Sequence, residues 1–226
     1  SWPEDAIRYS CAIGHIQSNR NPDTWHTAPT PYLAFGQKPA GATPSMSASD
    51  LLQFAHMHLK HGKNKQGIQV LKSASVKAMQ KRQVKLLPYS PNAIQGCGLG
   101  WFLMNWHGEK VFGHDGATIG QFAFLRILPA KNIAVALLTN GGDTKGLYRA
   151  MFSEVFGALA KTTEPVLPAP VSRQPSLDSY VGNYSNMQIK IKISRNNEQL
   201  IVDMVQKDSQ ASQYPDNTTL TFIAKN

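Results

Sequence analysis

Acidic residues and cysteines are scarce in this sequence of 226 residues. It has 14 Asp and Glu against 23 Lys and Arg, which gives a net charge of +9. Two cysteines, Cys11 and Cys97, cannot define a disulfide framework, and both the bridged and the unbridged state remain open. No run of about 18 apolar residues occurs, so we expect no transmembrane segment. The first residues also lack the basic start and apolar centre of a signal peptide.

The positive charge is concentrated in Leu51–Gly108, which holds eight Lys or Arg and no Asp or Glu. Basic surfaces attract nucleic acids, anionic membranes or acidic substrates. No nucleic-acid-binding motif accompanies the charge, so we expect no nucleic-acid partner. The simplest interpretation of this segment is a solvated basic face.

The segment Lys110–Asn140 predicts the centre of the fold. Gln121–Leu128 and Ile133–Thr139 are almost wholly apolar and rich in β-branched and aromatic residues, which is typical of strands covered on both faces. An earlier apolar strand is predicted to end at Gly113-His114-Asp115-Gly116. The three strands predict an antiparallel sheet. A histidine between two glycines, where the first strand ends, can bring side-chain and backbone donors to a ligand.

Helices are predicted on both sides of this segment, whereas residues 1–46 contain many prolines and are predicted to be coil. Ser47 and Asp50 form a capping pattern before a helix that ends near Gly62. A second helix is predicted over Val70–Arg82, with Ser73 or Ser75 as its cap, and a third from about Asp143 to Ala160, with Asp143 or Thr144 as its cap. The predicted apolar stripes are Leu51, Leu52, Ala55 and Leu59 in the first helix, and Leu147, Met151, Val155 and Leu159 in the third.

Three histidines, His56, His58 and His61, lie in or just after the first predicted helix. His56 and His58 point to different faces of a helix, and no carboxylate lies nearby to complete a set of ligands. We therefore interpret the three as surface histidines. The sequence predicts neither a metal site nor a cofactor.

The last quarter of the chain is predicted to form a separate β domain. Residues 162–175 contain four prolines and are interpreted as a linker between residues 1–161 and residues 176–226. In the C-terminal segment three isoleucines alternate with two lysines over Ile189–Ile193, the period of a half-exposed strand. Further strands are predicted at Gln199–Val205 and Thr218–Ile223.

The segment GHDGATIGQFAFLRILPAKNIAVALLTNGG resembles the last signature of the serine β-lactamase and penicillin-binding-protein superfamily, in its class C-like esterase and D-aminopeptidase branch. AGATPSMSASDLLQFAHMHLKHG and GCGLGWFL precede it in the order typical of that branch. The resemblance implies an α/β (α+β) fold, with an antiparallel sheet flanked by helices as in the β-lactamase/transpeptidase-like fold. It also implies that part of a lipocalin-like β domain follows, and that the protein is periplasmic or secreted.

The resemblance also implies roles for three residues. In the family a strand beside the nucleophile carries Lys-Thr-Gly, or His-x-Gly in the esterase-like branch, which His114-Asp115-Gly116 matches. By position, His114 would orient the substrate carboxylate or assist proton transfer, and Gly116 would let the substrate lie along the strand. The N–H of Ala117 would donate to the oxyanion. The substrates implied are esters, β-lactams or small D-amino-acid peptides.

The family's nucleophile and base, Ser-x-x-Lys, do not occur in this sequence. Ser75-Val76-Lys77 is one residue too short, and Tyr184-Ser185-Asn186 matches Tyr-x-Asn but follows the His-Gly strand. We therefore expect the C-terminal part of a serine hydrolase. Its partners would be a small-molecule or peptide substrate and either the missing N-terminal half or a second copy. The alternative is a non-catalytic binding or scaffold domain that keeps the fold.

Overall fold

The chain forms two compact units, Ser1–Val166 and Leu167–Asn226. Among the residues described, no helix is both long and apolar enough to cross a bilayer. Cys11 and Cys97 do not form a disulfide. The computed structural model describes residues 8–18, 21, 23–30, 33, 44–86, 94–166, 176–187, 189–197, 199–206 and 218–219.

The N-terminal region contains a short hairpin where coil was predicted. Strand β1 (His15–Gln17) pairs with β2 (Trp25–Thr27) in an antiparallel ladder. The backbone N–H of His15 also donates to the carbonyl of Asn140, at 2.8 Å. The prediction of coil for the whole of residues 1–46 is therefore wrong, because bonds to a distant segment support a hairpin that no local periodicity indicates.

A six-stranded antiparallel sheet forms the centre of the first unit. Its six strands lie in the order of the chain, so each strand pairs with the next one. The last two strands have the predicted bounds, and a 3₁₀ turn at Pro129–Lys131 with Asn132 in the left-handed region joins them. The strands are β3 (Val84–Lys85), β4 (Ile94–Cys97), β5 (Phe102–Trp106), β6 (Glu109–Thr118), β7 (Gln121–Leu128) and β8 (Ile133–Thr139).

Three helices are described in the first unit: α1 (Ala48–Leu59), α2 (Ser73–Met79) and α3 (Thr144–Ala160). The predicted caps of α1 and α3 are confirmed. Ser47 and Asp50 form a capping box, and the carboxylate of Asp143 accepts a hydrogen bond from the N–H of Gly146. Helix α2 is shorter than predicted and begins after Lys72 without a side-chain cap.

The predicted apolar stripe of α3 is partly wrong: Met151 packs against the core, but the centre of the buried face lies one position further along the chain. Leu147 and Leu159 are 51% and 66% exposed. The face of α3 that packs on the sheet is instead aromatic, because large rings bury more apolar area than aliphatic side chains do. Its buried residues are Tyr148, Phe152, Phe156 and Ala160.

The predicted stripe of α1 is also partly wrong. Leu52 is exposed, whereas Ala55 is fully buried with Trp101 and Leu125 under α1. These residues belong to the core on the opposite face of the sheet from α3. The two faces of the sheet are therefore covered by different helices.

Strand β6 continues past the point where it was predicted to end. It pairs with β7 in unbroken register as far as Thr118 opposite Gln121. The His114-Asp115-Gly116 segment therefore lies inside a strand and not at its end. Glycine weakens a strand, but hydrogen bonds to a neighbouring strand can carry the strand past it. The prediction placed the strand end at the two glycines because it did not include the pairing with β7.

The second unit is built on a four-stranded antiparallel sheet in which each strand pairs with the next one in the chain. The alternation predicted over Ile189–Ile193 is confirmed, because half-buried isoleucines alternate with exposed Lys190 and Lys192. Thr162, at the start of the predicted linker, belongs to the first unit, where its hydroxyl donates to the carbonyl of Trp106 at 3.2 Å. The strands are β9 (Gly182–Ser185), β10 (Ile189–Asn196), β11 (Gln199–Gln206) and β12 (Thr218–Thr219).

Candidate functional site

The second half of β6 pairs with a neighbouring strand on one side. Its pairing with β5 ends at Gly113 opposite Phe102, whereas its pairing with β7 continues to Thr118. Within the described ranges, no strand lies along the other edge of residues 114–118. In an antiparallel ladder, alternate residues direct their N–H and C=O groups away from the paired neighbour. This edge can therefore accept an extended backbone as an additional strand.

His114 lies at the start of this edge and is exposed. Its ring stacks on the ring of Phe102, with centroids 4.6 Å apart and planes at 8°. Its cross-strand partner is Leu125, which packs under α1. Stacking on an aromatic ring restricts the orientation of the imidazole without burying it.

The two glycines beside His114 have different structural roles. A Cβ on Gly113 would lie 2.0 Å from the carbonyl oxygen of Leu125, so the fold itself requires glycine there. Gly116 is exposed, and a Cβ on it would meet the Cβ of Ala123 at 3.9 Å, an ordinary contact. Packing among the described residues therefore does not explain the glycine at position 116.

Asp115 points to the opposite face of β6 and forms an ion pair with Arg126. The guanidinium of Arg126 donates hydrogen bonds to both carboxylate oxygens of Asp115, with Nη2 3.1 Å from Oδ2. The Arg126 side chain is 0% exposed. Burial by itself lowers the pKa of Arg126, but the hydrogen bond to Asp115 and nearby negative charges raise it overall. Arg126 therefore remains a cation within the core.

Tyr148 of α3 connects this ion pair to the helix. The guanidinium carbon of Arg126 lies 5.0 Å from the centroid of the Tyr148 ring. The Tyr148 hydroxyl donates to the carboxylate of Glu164. Burial raises the pKa of both Tyr148 and Glu164 above their ordinary values. The hydroxyl therefore stays protonated, and a polar network joins β6 to α3.

A cavity of about 260 Å³ opens beside this network. Gly116 and Ala117 line it, whereas His114 does not. Lys145 and Arg149, one turn apart on α3, give it a basic rim, and two phenylalanines give it an apolar wall. The complete lining is Asp115, Gly116, Ala117, Phe122, Phe124, Lys145, Tyr148 and Arg149.

Sequence analysis missed Phe102, Arg126 and Tyr148. The signal for Arg126 is present in the sequence, because it is the one charged residue in an otherwise apolar strand, QFAFLRIL. A charge at such a position requires a buried partner. Phe102 and Tyr148 carry no comparable signal, since aromatic residues are ordinary in a strand and on a helix.

The histidines of α1 do not form a metal site. Within the part of the chain that the structure describes, no group of three or more His, Cys, Asp or Glu is arranged to hold a metal ion. The interpretation of His58 as a surface residue is wrong, because it is 2% exposed among aromatic rings. Burial lowers its pKa. These rings are Phe54, Trp101 and Phe112.

Comparison with known proteins identifies similar sequences. The family described as Beta-lactamase matches residues 8–158 of this chain. Penicillin-binding protein 4 of Amycolatopsis lactamdurans is 34% identical over 180 residues, a match that covers 78% of this chain and 46% of that protein. The chain therefore spans about half the length of the curated relative that it matches.

Solved structures show the same fold. SurE superposes with a TM-score of 0.63 at 21% identity, over 94% of this chain and 48% of its own. A structure of SurE with D-Leu has a TM-score of 0.58 at 26% identity, over 76% of this chain and 40% of its own. An octameric penicillin-binding protein homologue from Pyrococcus abyssi has a TM-score of 0.59 at 19% identity, over 97% of this chain and 46% of its own. The predicted fold class, an antiparallel sheet flanked by helices as in β-lactamases and penicillin-binding proteins, is confirmed.

Proposed function

The chain belongs to the beta-lactamase family, and we propose that it is the C-terminal part of a serine hydrolase of that family. The reaction would proceed through an acyl-enzyme formed with a serine from a Ser-x-x-Lys segment, which this sequence does not contain. The substrates would be esters, β-lactams or small peptides containing D-amino acids. SurE, a structural relative, was solved with D-Leu, which supports keeping D-amino-acid peptides in this set.

The single observation that carries the proposal is the one-sided pairing of β6 beside an unexplained glycine. The edge at residues 114–118 can hold a substrate carbonyl in extended geometry. Gly116 sits in that edge, and packing among the described residues gives no reason for it to be glycine. A substrate backbone lying across Gly116 would supply one, since a side chain there would block its path.

In this proposal the serine Oγ gives its proton to the lysine of Ser-x-x-Lys and attacks the substrate carbonyl carbon, and the carbonyl oxygen becomes an oxyanion. The oxyanion collapses to the acyl-enzyme as the bond to the leaving alcohol or amine breaks, and the leaving group takes up that proton. Water then hydrolyses the acyl-enzyme and restores the serine. The N–H of Ala117 donates to the oxyanion, a contribution of roughly 3 kcal/mol to the transition state for a preorganised donor. His114 orients the substrate carboxylate or assists proton transfer. Because the imidazole already stacks on Phe102, it has fewer ring orientations in the free protein. It therefore loses less conformational entropy when the substrate binds.

A second candidate function is a non-catalytic binding or scaffold domain. The absence of Ser-x-x-Lys from this sequence favours it, because the described donors alone can bind a substrate but cannot form an acyl-enzyme. The one-sided edge of β6 would then bind a peptide as an added strand. The two functions differ in whether a nucleophilic serine joins this strand.

Acylation of two products would test the proposal. The first is this chain alone, and the second is the product of the reading frame extended upstream to include a Ser-x-x-Lys. Both are incubated with a fluorescent penicillin and a fluorophosphonate, and adducts are located by mass spectrometry. We expect no adduct on the chain alone and a stoichiometric adduct on the added serine of the longer product.

The longer product with that serine changed to Ala is the control, and it should stay unlabelled. Stoichiometric labelling of any serine in the 226-residue chain would overturn the proposal. A reading frame that contains no Ser-x-x-Lys upstream would favour the binding or scaffold function.

A further inference from the structure

A segment between α1 and α2, Lys60–Lys72, forms a well-defined basic loop. Lys63 and Gln69 form a β-bridge across it. The side-chain oxygen of Asn64 accepts hydrogen bonds from the N–H groups of Gln66 and Ile68, at 3.0 and 2.9 Å. These local bonds define the conformation of the loop and therefore what it exposes.

The basic loop exposes aliphatic side chains among lysines. Ile68 and Val70 are 62% and 63% exposed. Aliphatic side chains held in water by a bonded loop are at an energetic disadvantage that burial against a partner would remove. The lysines of the loop are Lys60, Lys63, Lys65 and Lys72, all exposed.

No acidic residue lies in the sequence near this loop. Leu51–Gly108 contains none, and Asp50 lies in the first turn of α1, about 15 Å from Lys60 along the helix axis. The carboxylate of Asp50 is already engaged with Ser47. Lys60 donates to the side-chain oxygen of Asn132 at 3.3 Å, and no lysine of the loop forms an ion pair among the described residues. An anionic partner would therefore supply a charge that the described residues do not.

The residue types in the basic loop indicate which class of anionic partner it can bind. Single-stranded nucleic acids are bound with aromatic platforms, and arginine is preferred for bidentate contacts with phosphate. The basic loop has no Phe, Tyr, Trp or Arg, and its exposed apolar residues are aliphatic. Aliphatic side chains gain free energy by entering the acyl region of a bilayer, while lysines bind its anionic headgroups.

We propose that the basic loop docks this protein on an anionic lipid bilayer. Ile68 and Val70 enter the boundary between headgroups and acyl chains, and the four lysines bind phosphate groups around them. The association is peripheral and reversible, since two aliphatic side chains bury too little area to anchor a protein permanently. Salt weakens it because the lysine contribution is screened.

Sedimentation with vesicles tests the proposal on the 226-residue chain. The vesicles contain phosphatidylcholine alone or mixed with phosphatidylglycerol. We expect binding to the anionic vesicles at least tenfold stronger than to the neutral ones, decreasing with added salt. Lys63→Gln with Lys65→Gln should lower binding roughly tenfold or more, at the magnitude usual for lysines near a charged membrane.

Two matched controls separate the loop from general properties of a basic protein. Lys190→Gln with Lys192→Gln removes the same charge from exposed positions in β10 and is the control for the lysines; it should change binding less than twofold.

The aliphatic residues are tested in the same way. Ile68→Ser with Val70→Ser should lower binding about tenfold, most clearly at high salt, where insertion of apolar side chains contributes more than charge. Leu159→Ser, at an exposed position on α3, should leave binding unchanged.

Three outcomes would overturn the proposal. They are equal binding to neutral and anionic vesicles, an equal loss from the β10 lysine pair, and binding of a nucleic acid that competes with the vesicles for the same lysines. Circular dichroism of each variant shows whether the fold is retained. A loop variant that unfolds is replaced by Lys60→Gln with Lys72→Gln, which removes the same charge from the ends of the loop.

Discussion

Asp115 and Arg126 form a two-point ion pair across β6 and β7, with Arg126 fully buried and the Asp115 side chain 24% exposed. Asp115 is also the middle residue of His114-Asp115-Gly116. The pair therefore lies on the face of the sheet that α3 covers, where Arg126 continues it to the Tyr148 ring. His114, one residue before Asp115, faces the other side of the sheet.

Asp115→Ala is expected to destabilise the first unit by roughly 2–4 kcal/mol, because it leaves the buried Arg126 cation without its partner. The free energy of unfolding in urea measures the effect. Asp178→Ala is the control, since Nη1 of Arg195 bonds both carboxylate oxygens of Asp178 in an ion pair whose side chains are 44% and 70% exposed. That change should cost less than about 1 kcal/mol in the second unit. Equal losses from the two variants would contradict the importance of burial.

His58 should make stability depend on pH below neutrality. Burial lowers its pKa below the ordinary value of 6.5, so the unfolded chain binds the proton first as the pH falls. Its contribution is complete above pH 6.5 and is lost as the pH falls toward the folded-state pKa. His58→Leu should therefore flatten the dependence of unfolding free energy on pH below 6.5, as measured in urea at several pH values. His26→Leu, at an exposed position in β2, is the control, and the same flattening there would contradict the prediction.

His114→Ala should lower kcat/KM on esters or β-lactams by roughly ten- to a thousandfold in the product that includes Ser-x-x-Lys. Its effect on unfolding free energy should stay below about 1 kcal/mol, since the residue is exposed. His61→Ala, at an exposed position after α1, should leave activity unchanged. Full turnover by His114→Ala on every substrate, or loss of activity through unfolding alone, would contradict the assigned role.

The two glycines of β6 should respond differently to valine. In the product that includes Ser-x-x-Lys, Gly116→Val should abolish most activity, because the valine side chain would block the path of the substrate. The fold should stay intact, because a Cβ at position 116 meets no close contact among the described residues. Gly113→Val should unfold the first unit, because its Cβ would overlap the carbonyl oxygen of Leu125. Activity and thermal melts measured on both variants separate the effects. A Gly116→Val variant that melts as early as Gly113→Val would show that position 116 is structural.

Strand β8 should promote self-association of the chain. Among the described residues it pairs with β7 alone, and its seven residues are all uncharged. An uncharged edge strand readily pairs with another chain. We expect dimers or larger species in sedimentation velocity, and Leu138→Lys should reduce them by placing a charge on this edge. Leu159→Lys on α3 is the control. A monodisperse monomer would contradict the prediction.

Local pattern was sufficient to predict some elements to the residue. The bounds of β7 and β8 follow from continuous apolar runs on either side of a proline turn. The caps at Ser47 and Asp143 follow from side chains that bond within three residues of themselves. The ordered similarity to known sequences also predicted the fold class. In each case the deciding interactions are near in sequence or repeat with a fixed period.

What the sequence by itself determined is therefore the family, the main strands and the position of His114, Gly116 and Ala117 along the chain. Only the tertiary structure decided that β6 runs through that segment, because the ladder from β7 outweighs two glycines. It also decided that Arg126 lies buried against Asp115 and that His58 lies among aromatic rings. The partner of Arg126 depends on how β6 and β7 are paired, and the rings around His58 come partly from segments far from it in the chain. Neither arrangement leaves a periodic trace in the sequence.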